Sequence, residues 1–219
     1  MKRVAISLEG KSLLNDKNAA IGIGSLIIFI AMILVAGIAA SVMLQTMNSL
    51  EQKAMTTGQE TIRDISTGIR VTHETGYSNT TKINRLAIFI KPIAGSDGID
   101  LSYAYLQLSD TNVQVILNYT RNVFTDNLSG GVFSSVNYSN LSASTYGVVV
   151  VRDTDDSCSS KSPVINENDL IALVVNCSKC FDGLSARTKV TGKIVPEYGI
   201  SGVLSFTTPS SFIDTIIEL

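Results

Sequence analysis

The stretch "NAAIGIGSLIIFIAMILVAGIAASVMLQT", residues 18–46, decides how the rest of the chain is read. From Ile21 to Leu44 no side chain is charged. A helix of about 24 residues is roughly 36 Å long, enough to cross a hydrocarbon core of about 30 Å. Before it stands a polar leader, "MKRVAISLEGKSLLNDKN", with Lys2, Arg3, Lys11 and Lys17 partly offset by Glu9 and Asp16. Three fates are open to such a run: a discarded signal sequence, a permanent anchor, or a segment that leaves the membrane and is buried elsewhere. A secretory signal has a shorter apolar stretch and a small-residue cleavage site after it. Gly37-Ile38-Ala39-Ala40-Ser41 offers such a cluster, but the run is too long for that class.

The pattern does not stop where a lone anchor stops. Met43, Met47, Leu50, Ala54, Met55, Ile62, Ile65 and Ile69 recur at spacings near three and four, the period of an apolar stripe on a helix. Glu51, Lys53, Glu60, Arg63 and Asp64 take much of the other side, and no Pro interrupts residues 20–75. Gly58 is a weak point, costing about 1 kcal/mol relative to Ala. The expectation is one helix over 20–75, apolar all round in its first half and amphipathic in its second. It ends in the Gly- and Thr-rich "TGIRVTHETGYSN". Such a helix needs lipid or protein around its whole first half. One small domain cannot cover about 75 Å of it. Many copies packing their helices together can.

These residues resemble a family. "AAIGIGSLIIFIAMILVAGIAASVMLQT" is similar to the N-terminus of archaeal flagellins (archaellins), the subunits of the archaellum filament. The likeness continues in "FIKPIAGSDGIDLSYAYLQLSD", "TKVTGKIVPEYG" and "LSFTTPSSFIDTIIEL". The resemblance implies that residues 1–19 are a type III, prepilin-like signal peptide. A prepilin-type signal peptidase would cut it between Ala19 and Ala20. Here Lys17-Asn18-Ala19 sets the basic residue one place further back than the family pattern. Bacterial type IV pilins generally carry Glu at the fifth mature position, where this chain has Gly24. The resemblance further implies a filament-core helix presenting Gly22, Gly24, Ile27, Ile30, Leu34, Met43, Leu50, Ile62 and Ile65. Its partners would be further copies, paralogous subunits, and the archaellum assembly and motor machinery. The precursor would sit in the cytoplasmic membrane and the product in an extracellular filament used for swimming. The alternatives are an adhesive type IV-like pilin or a singly anchored surface β-domain.

From about residue 80 the apolar period becomes two. Ile83, Leu86, Ile88 and Ile90 lead into the turn cluster "KPIAGSDG", and Ile99, Leu101, Tyr103 and Tyr105 alternate after it. "VQVILNY", "TYGVVVVRD", "DLIALVVN", "RTKVTGKIVPEYG" and "GVLSFTT" read as further strands between Gly, Ser, Asn and Asp turns. The class is α+β: a long hydrophobic helix followed by an antiparallel β-sandwich over 76–219. An immunoglobulin-like form of that sandwich is what the resemblance implies. Six Asn-x-Ser/Thr sequons fall in it, at Asn79, Asn118, Asn127, Asn137, Asn140 and Asn176, so N-linked glycans are expected on an exported chain.

Little else points to chemistry. A net charge of −2 and a pI near 5.4 give no electrostatic reason for nucleic-acid binding. The single His, His73, and three Cys allow no Ser-His-Asp or Cys-His arrangement on motif grounds, so no enzyme is expected. Gly22-Ile23-Gly24 lies in an apolar helix and lacks the strand and third Gly of a nucleotide loop. Cys177-Ser-Lys-Cys180 has CxxC spacing without a βαβ context. On an exported surface Cys158 paired with Cys177 or Cys180 is a candidate disulfide stapling the 153–168 loop. "VRDTDDSCSS" places Asp153, Asp155 and Asp156 in a loop. This is either a solvated acidic turn or a set of hard oxygen ligands for Ca²⁺. Asp169 is a further candidate ligand that no spacing rule selects. No other cofactor is implied.

Overall fold

The computed structural model describes residues 9–219, with side chains from Ala20 onward. The first eight residues of the leader lie outside the described residues, as does the side chain of Ala19 at the expected cut. The chain divides into two compact units, Met1–Gly58 and Gln59–Leu219.

Helix α1 (Glu9–Ser66) is uninterrupted and runs through the Ala19–Ala20 bond. It ends nine residues before the expected boundary of 75. Its last bond runs from the Thr67 amide to the Arg63 carbonyl, 2.9 Å, and Gly68 follows. Ile69, which continues the three-and-four spacing from Ile65, belongs instead to the β-domain core and is buried. Ile69, Val71, Thr72, Thr75 and Tyr77 are β-branched or aromatic. Such side chains lose rotamer freedom in a helix and fit a pleated surface. The segment expected to end the helix is therefore a strand, β1 (Ile69–Ser78).

Ten strands follow: β2 (Ile83–Pro92), β3 (Ile99–Asp100), β4 (Tyr105–Ser109), β5 (Gln114–Thr125), β6 (Thr145–Arg152), β7 (Val164–Ile165), β8 (Leu170–Asn176), β9 (Lys189–Val195), β10 (Gly202–Thr207) and β11 (Ile216–Glu218). Between β5 and β6 lies a 3₁₀ turn, Tyr138–Asn140, and after β8 a one-turn helix, α2 (Cys177–Cys180). Nine strands form one sheet in the order β10-β9-β4-β5-β6-β8-β2-β1-β11, while β3 and β7 pair separately. All pairs are antiparallel except β5 with β6. A parallel pair needs a long crossover, and residues 126–144 supply it. At the other end the sheet curls back on itself. The Ile69 amide donates to Ile200, 3.0 Å, and the Ile200 amide to Thr67, 2.8 Å, which brings the approach to β10 against the start of β1. Gly199 sits at φ +92°, and a Cβ there would strike the Thr67 carbonyl, so only Gly permits this closure. One curled sheet thereby makes both layers of the expected sandwich.

Burial follows from the sequence of each strand. β4, β9 and β10 alternate, with Leu106, Leu108, Val190, Ile194, Leu204 and Phe206 inward and polar residues mostly outward. In contrast β2, β6 and β8 carry continuous apolar runs because both their faces are covered. Leu86, Ile88, Val148, Leu173 and Val175 point into the main core. Ala87, Val149, Ala172 and Val174 meet Phe133, Tyr138 and Leu141 of the crossover on the other face. The buried Tyr146 hydroxyl donates to the Leu101 and Ala104 carbonyls at 2.8 and 3.1 Å, tying β6 to the loop before β4.

Candidate functional site

The most unusual surface is α1 itself. Its segment Ala20–Ser66 contains a window of mean hydropathy 2.8, none of it buried. Twenty large apolar side chains from Ile21 to Ile65 are each between 50% and 71% exposed. They include Ile27, Ile30, Leu34, Met43, Leu50, Ile62 and Ile65 from the expected core face. Gly22 and Gly24 have no heavy atom within 4 Å of where a Cβ would stand, so close approach by another helix is open to them. Each such side chain gains about 1.5–3 kcal/mol when it leaves water. A soluble monomer has no means of collecting that gain.

A match to the archaeal-type flagellin family covers residues 19–206. The chain belongs to that family. Flagellin B2 of Methanocaldococcus jannaschii is 41% identical over 210 residues, covering 94% of this chain and 97% of that one. Flagellin B1 of Methanococcus voltae is 41% identical over 216 residues, covering 95% and 98%. Among solved structures, the crystal structure of archaeal flagellin FlaB1 from Methanocaldococcus jannaschii matches with a TM-score of 0.63 at 34% identity, covering 70% of this chain and 96% of that one. The archaeal flagellum of Methanospirillum hungatei strain JF1 shares the fold, with a TM-score of 0.63 at 15% identity, over 90% of this chain and 98% of that one.

On the β-domain, five of the six sequon asparagines are exposed: Asn79, Asn118, Asn127, Asn137 and Asn140. In Asn127 and Asn137 the side-chain oxygen accepts the amide two residues on, at 3.0 Å in each, and Asn79 accepts Thr81 and Lys82 in the same manner. This leaves the side-chain nitrogen, the atom a glycan joins, without a partner among the described residues. Asn176 differs. It is half-buried and its amide nitrogen donates to the Tyr138 carbonyl at 3.0 Å, a bond that modification would break.

The acidic loop gathers a different trio from the one expected. Single carboxylate oxygens of Asp153, Asp155 and Asp169 lie within 4.8 Å of one another. Asp156 is turned out of the group, at φ +56°, and lines an open depression of about 780 Å³ with Asp126 and Asp153. Asp169 arrives from the start of β8, 13 residues further along the chain than Asp156, because β8 pairs with β6 and folds the loop over. Its oxygens accept the amides of Thr154 and Asn166, at 3.3 and 2.9 Å. Asp153 accepts from Asp155 and Cys158, at 3.2 and 2.9 Å, and Asp155 from the Asn166 side chain at 2.7 Å. Burial holds the Asp169 carboxyl above its ordinary range; these amides pull it down and the Asp153 and Asp155 charges push it up again. Hydrogen bonds from Ser157 and Asn166 hold Asp155 below its ordinary range. Three hard carboxylates this close fit the donor set of Ca²⁺.

The expected disulfide is absent, and all three cysteines are buried free thiols. Cys158 lies in the loop before β8, whereas Cys177 and Cys180 form the turn after it. The seven residues of β8 separate those ends by roughly 20 Å. A disulfide needs Cα atoms within about 7 Å. Burial, then the charges of Asp153 and Asp169, push the Cys158 thiol up to about 12, and burial pushes Cys180 up to about 11.

Proposed function

We propose that the chain is a structural subunit that polymerises through α1 into the helical archaellum filament, with the β-domain facing outward. The observation that carries this is the row of twenty exposed apolar side chains on one unbroken helix. Family membership and the fold shared with the Methanospirillum hungatei flagellum support it. Heterologous contacts that do not close build a filament rather than a ring. The leader is removed between Ala19 and Ala20 by a prepilin-type peptidase, and the apolar helix holds the precursor in the membrane until assembly. The filament is extracellular and is rotated by a motor for swimming. Glycans occupy the exposed sequons and not Asn176. Asp153, Asp155 and Asp169 hold Ca²⁺, whose charge would offset three crowded carboxylates. The role we assign is structural, in keeping with membership of the archaeal-type flagellin family.

Intact mass and N-terminal sequencing of material sheared from cells test the reading. A mature chain beginning at Ala20, found in long filaments and heavier than its sequence, is the expected result. A chain beginning at Met1 and released only by detergent means that the helix is a plain anchor.

A further inference from the structure

Among the described residues, Arg85 is a cation without a counter-ion. It stands at the start of β2, opposite Asn176 of β8 and Tyr77 of β1. Its guanidinium carbon lies 4.8 Å from the Tyr77 ring centre and 4.7 Å from that of Tyr138. One of its nitrogens donates to the Phe133 carbonyl at 3.1 Å. A guanidinium has five N–H donors, so most of them have no protein acceptor among the described residues. Lys179, beside it, donates to the Ser139 and Leu141 carbonyls, and neither cation forms an ion pair among the described residues. The buried hydroxyl of Tyr138 also has no partner among the described residues. Together with Asn84 and Asn176 these residues line a depression of about 290 Å³.

The chemistry of that lining is specific. Unused guanidinium donors favour a carboxylate, which they grip with two parallel hydrogen bonds. The guanidinium takes up the faces of Tyr77 and Tyr138, and the side-chain amides of Asn84 and Asn176 with the hydroxyls of Ser139 and Ser178 are left to suit a molecule hydroxylated at its edges. A sugar carrying a carboxylate meets both demands. Its source is also close. Tyr138 and Ser139 of the lining are the second and third residues of the Asn137 sequon, and Asn140 begins another directly after them. We propose that this depression seats an acidic sugar of an N-linked glycan carried by Asn137 or Asn140 of the same chain. The inference rests on the reading that these sequons are glycosylated. A tether of this length gives a local concentration of the order of millimolar, so a contact with a Kd of about 0.1 mM is mostly occupied. The glycan then lies down on the crossover and shields it.

The test is a double-mutant cycle read by hydrogen exchange on filaments of the full chain, after mass spectrometry of the Asn137 and Asn140 peptides. Removing both sequons (Asn137→Gln with Asn140→Gln) is expected to speed exchange in residues 133–141 by roughly tenfold, the worth of a charge-assisted hydrogen bond. In an Arg85→Met background the same removal should change nothing further. Arg85→Lys keeps the charge between the two rings and guards against loss of fold; it should retain part of the coupling. Millimolar glucuronate should restore protection to the sequon-free filament, and glucose should not. Additive effects of the two changes overturn the proposal, and equal protection by both sugars overturns the acidic assignment. Unmodified peptides overturn the glycosylation reading and this inference with it, whereas modified peptides without coupling overturn this inference alone.

Discussion

At the residue scale, Asp169 shows what spacing along a chain cannot reveal. Nothing in "VRDTDDSCSS" marks a residue 13 positions beyond Asp156 as part of the same carboxylate group. Only the pairing of β6 with β8 brings it there, while a left-handed backbone carries Asp156 away. The Ca²⁺ assignment therefore has an internal control. Added Ca²⁺ should raise the Tm of the full chain by a few degrees, Asp169→Ala should abolish the shift, and Asp156→Ala should leave it intact. The pH dependence has a definite sign. The folded-state pKa of Asp169 is raised above its unfolded value. Without metal, its contribution to stability therefore falls as pH rises through that folded pKa. Ca²⁺ needs the ionised form, so its stabilising shift should be larger at neutral pH than near pH 4. Calorimetric melts with Ca²⁺ and with chelator at both pH values decide the matter; matching melts remove the metal. The cysteines give a second residue-scale expectation. Buried thiols held up near 11 and 12 are almost wholly protonated near pH 8. Iodoacetamide should leave the native chain unmodified, yet add three adducts once the chain is unfolded without reductant. Fewer than three adducts after unfolding would mean that a disulfide had formed.

At the element scale, composition made α1 legible and coincidence hid its end. A charge-free run followed by a three-and-four stripe allows little besides a helix, but Ile69 falls on the stripe by chance. Its β-branched neighbours were the available signal that a strand had begun. The alternating strands β9 and β10 were readable for the same physical reason, one wet face, whereas the alternation expected from Ile99 to Tyr105 is broken by a turn at residues 101–103 between β3 and β4. The parallel pairing of β5 with β6 was not, since it depends on where a 19-residue crossover lands. The corrected boundary has a consequence for dissection. A fragment beginning at Thr67 keeps β1, which pairs with β2 on one side and β11 on the other and brings Ile69 into the core. A fragment beginning at residue 80 leaves the β2 edge unpaired and strands β11. We expect 67–219 to unfold in one cooperative urea transition, and 80–219 to show a shallow transition or none. Equal transitions for the two fragments would show that β1 is dispensable.

For the whole molecule, the two units pose opposite problems. The β-domain buries its apolar residues within one chain, whereas α1 leaves its own exposed. The filament we propose solves the second problem by repetition, and the weight that each position carries follows from that. Changing one side chain on a helix that lines a shared core changes it in every copy, facing every neighbouring helix. Ile27→Asp or Ile30→Asp sets a carboxylate where no cation is supplied, since the run from Ile21 to Leu44 has none. The cost is several kcal/mol for each subunit, well beyond the gain lost by removing one isoleucine. Filaments should be abolished by either change, while Ile30→Leu, which keeps volume and polarity, should assemble normally. A charge in the middle of the run also costs about 2.5–3.5 kcal/mol on entry to the bilayer, so failure to insert must be separated from failure to assemble. The membrane fraction makes that separation. Mature Ile30→Asp chain held in the membrane at the wild-type level, with no sheared filament, places the defect in the polymer core. Wild-type filaments from either Asp variant would mean that the apolar face of α1 is covered by something other than its own copies.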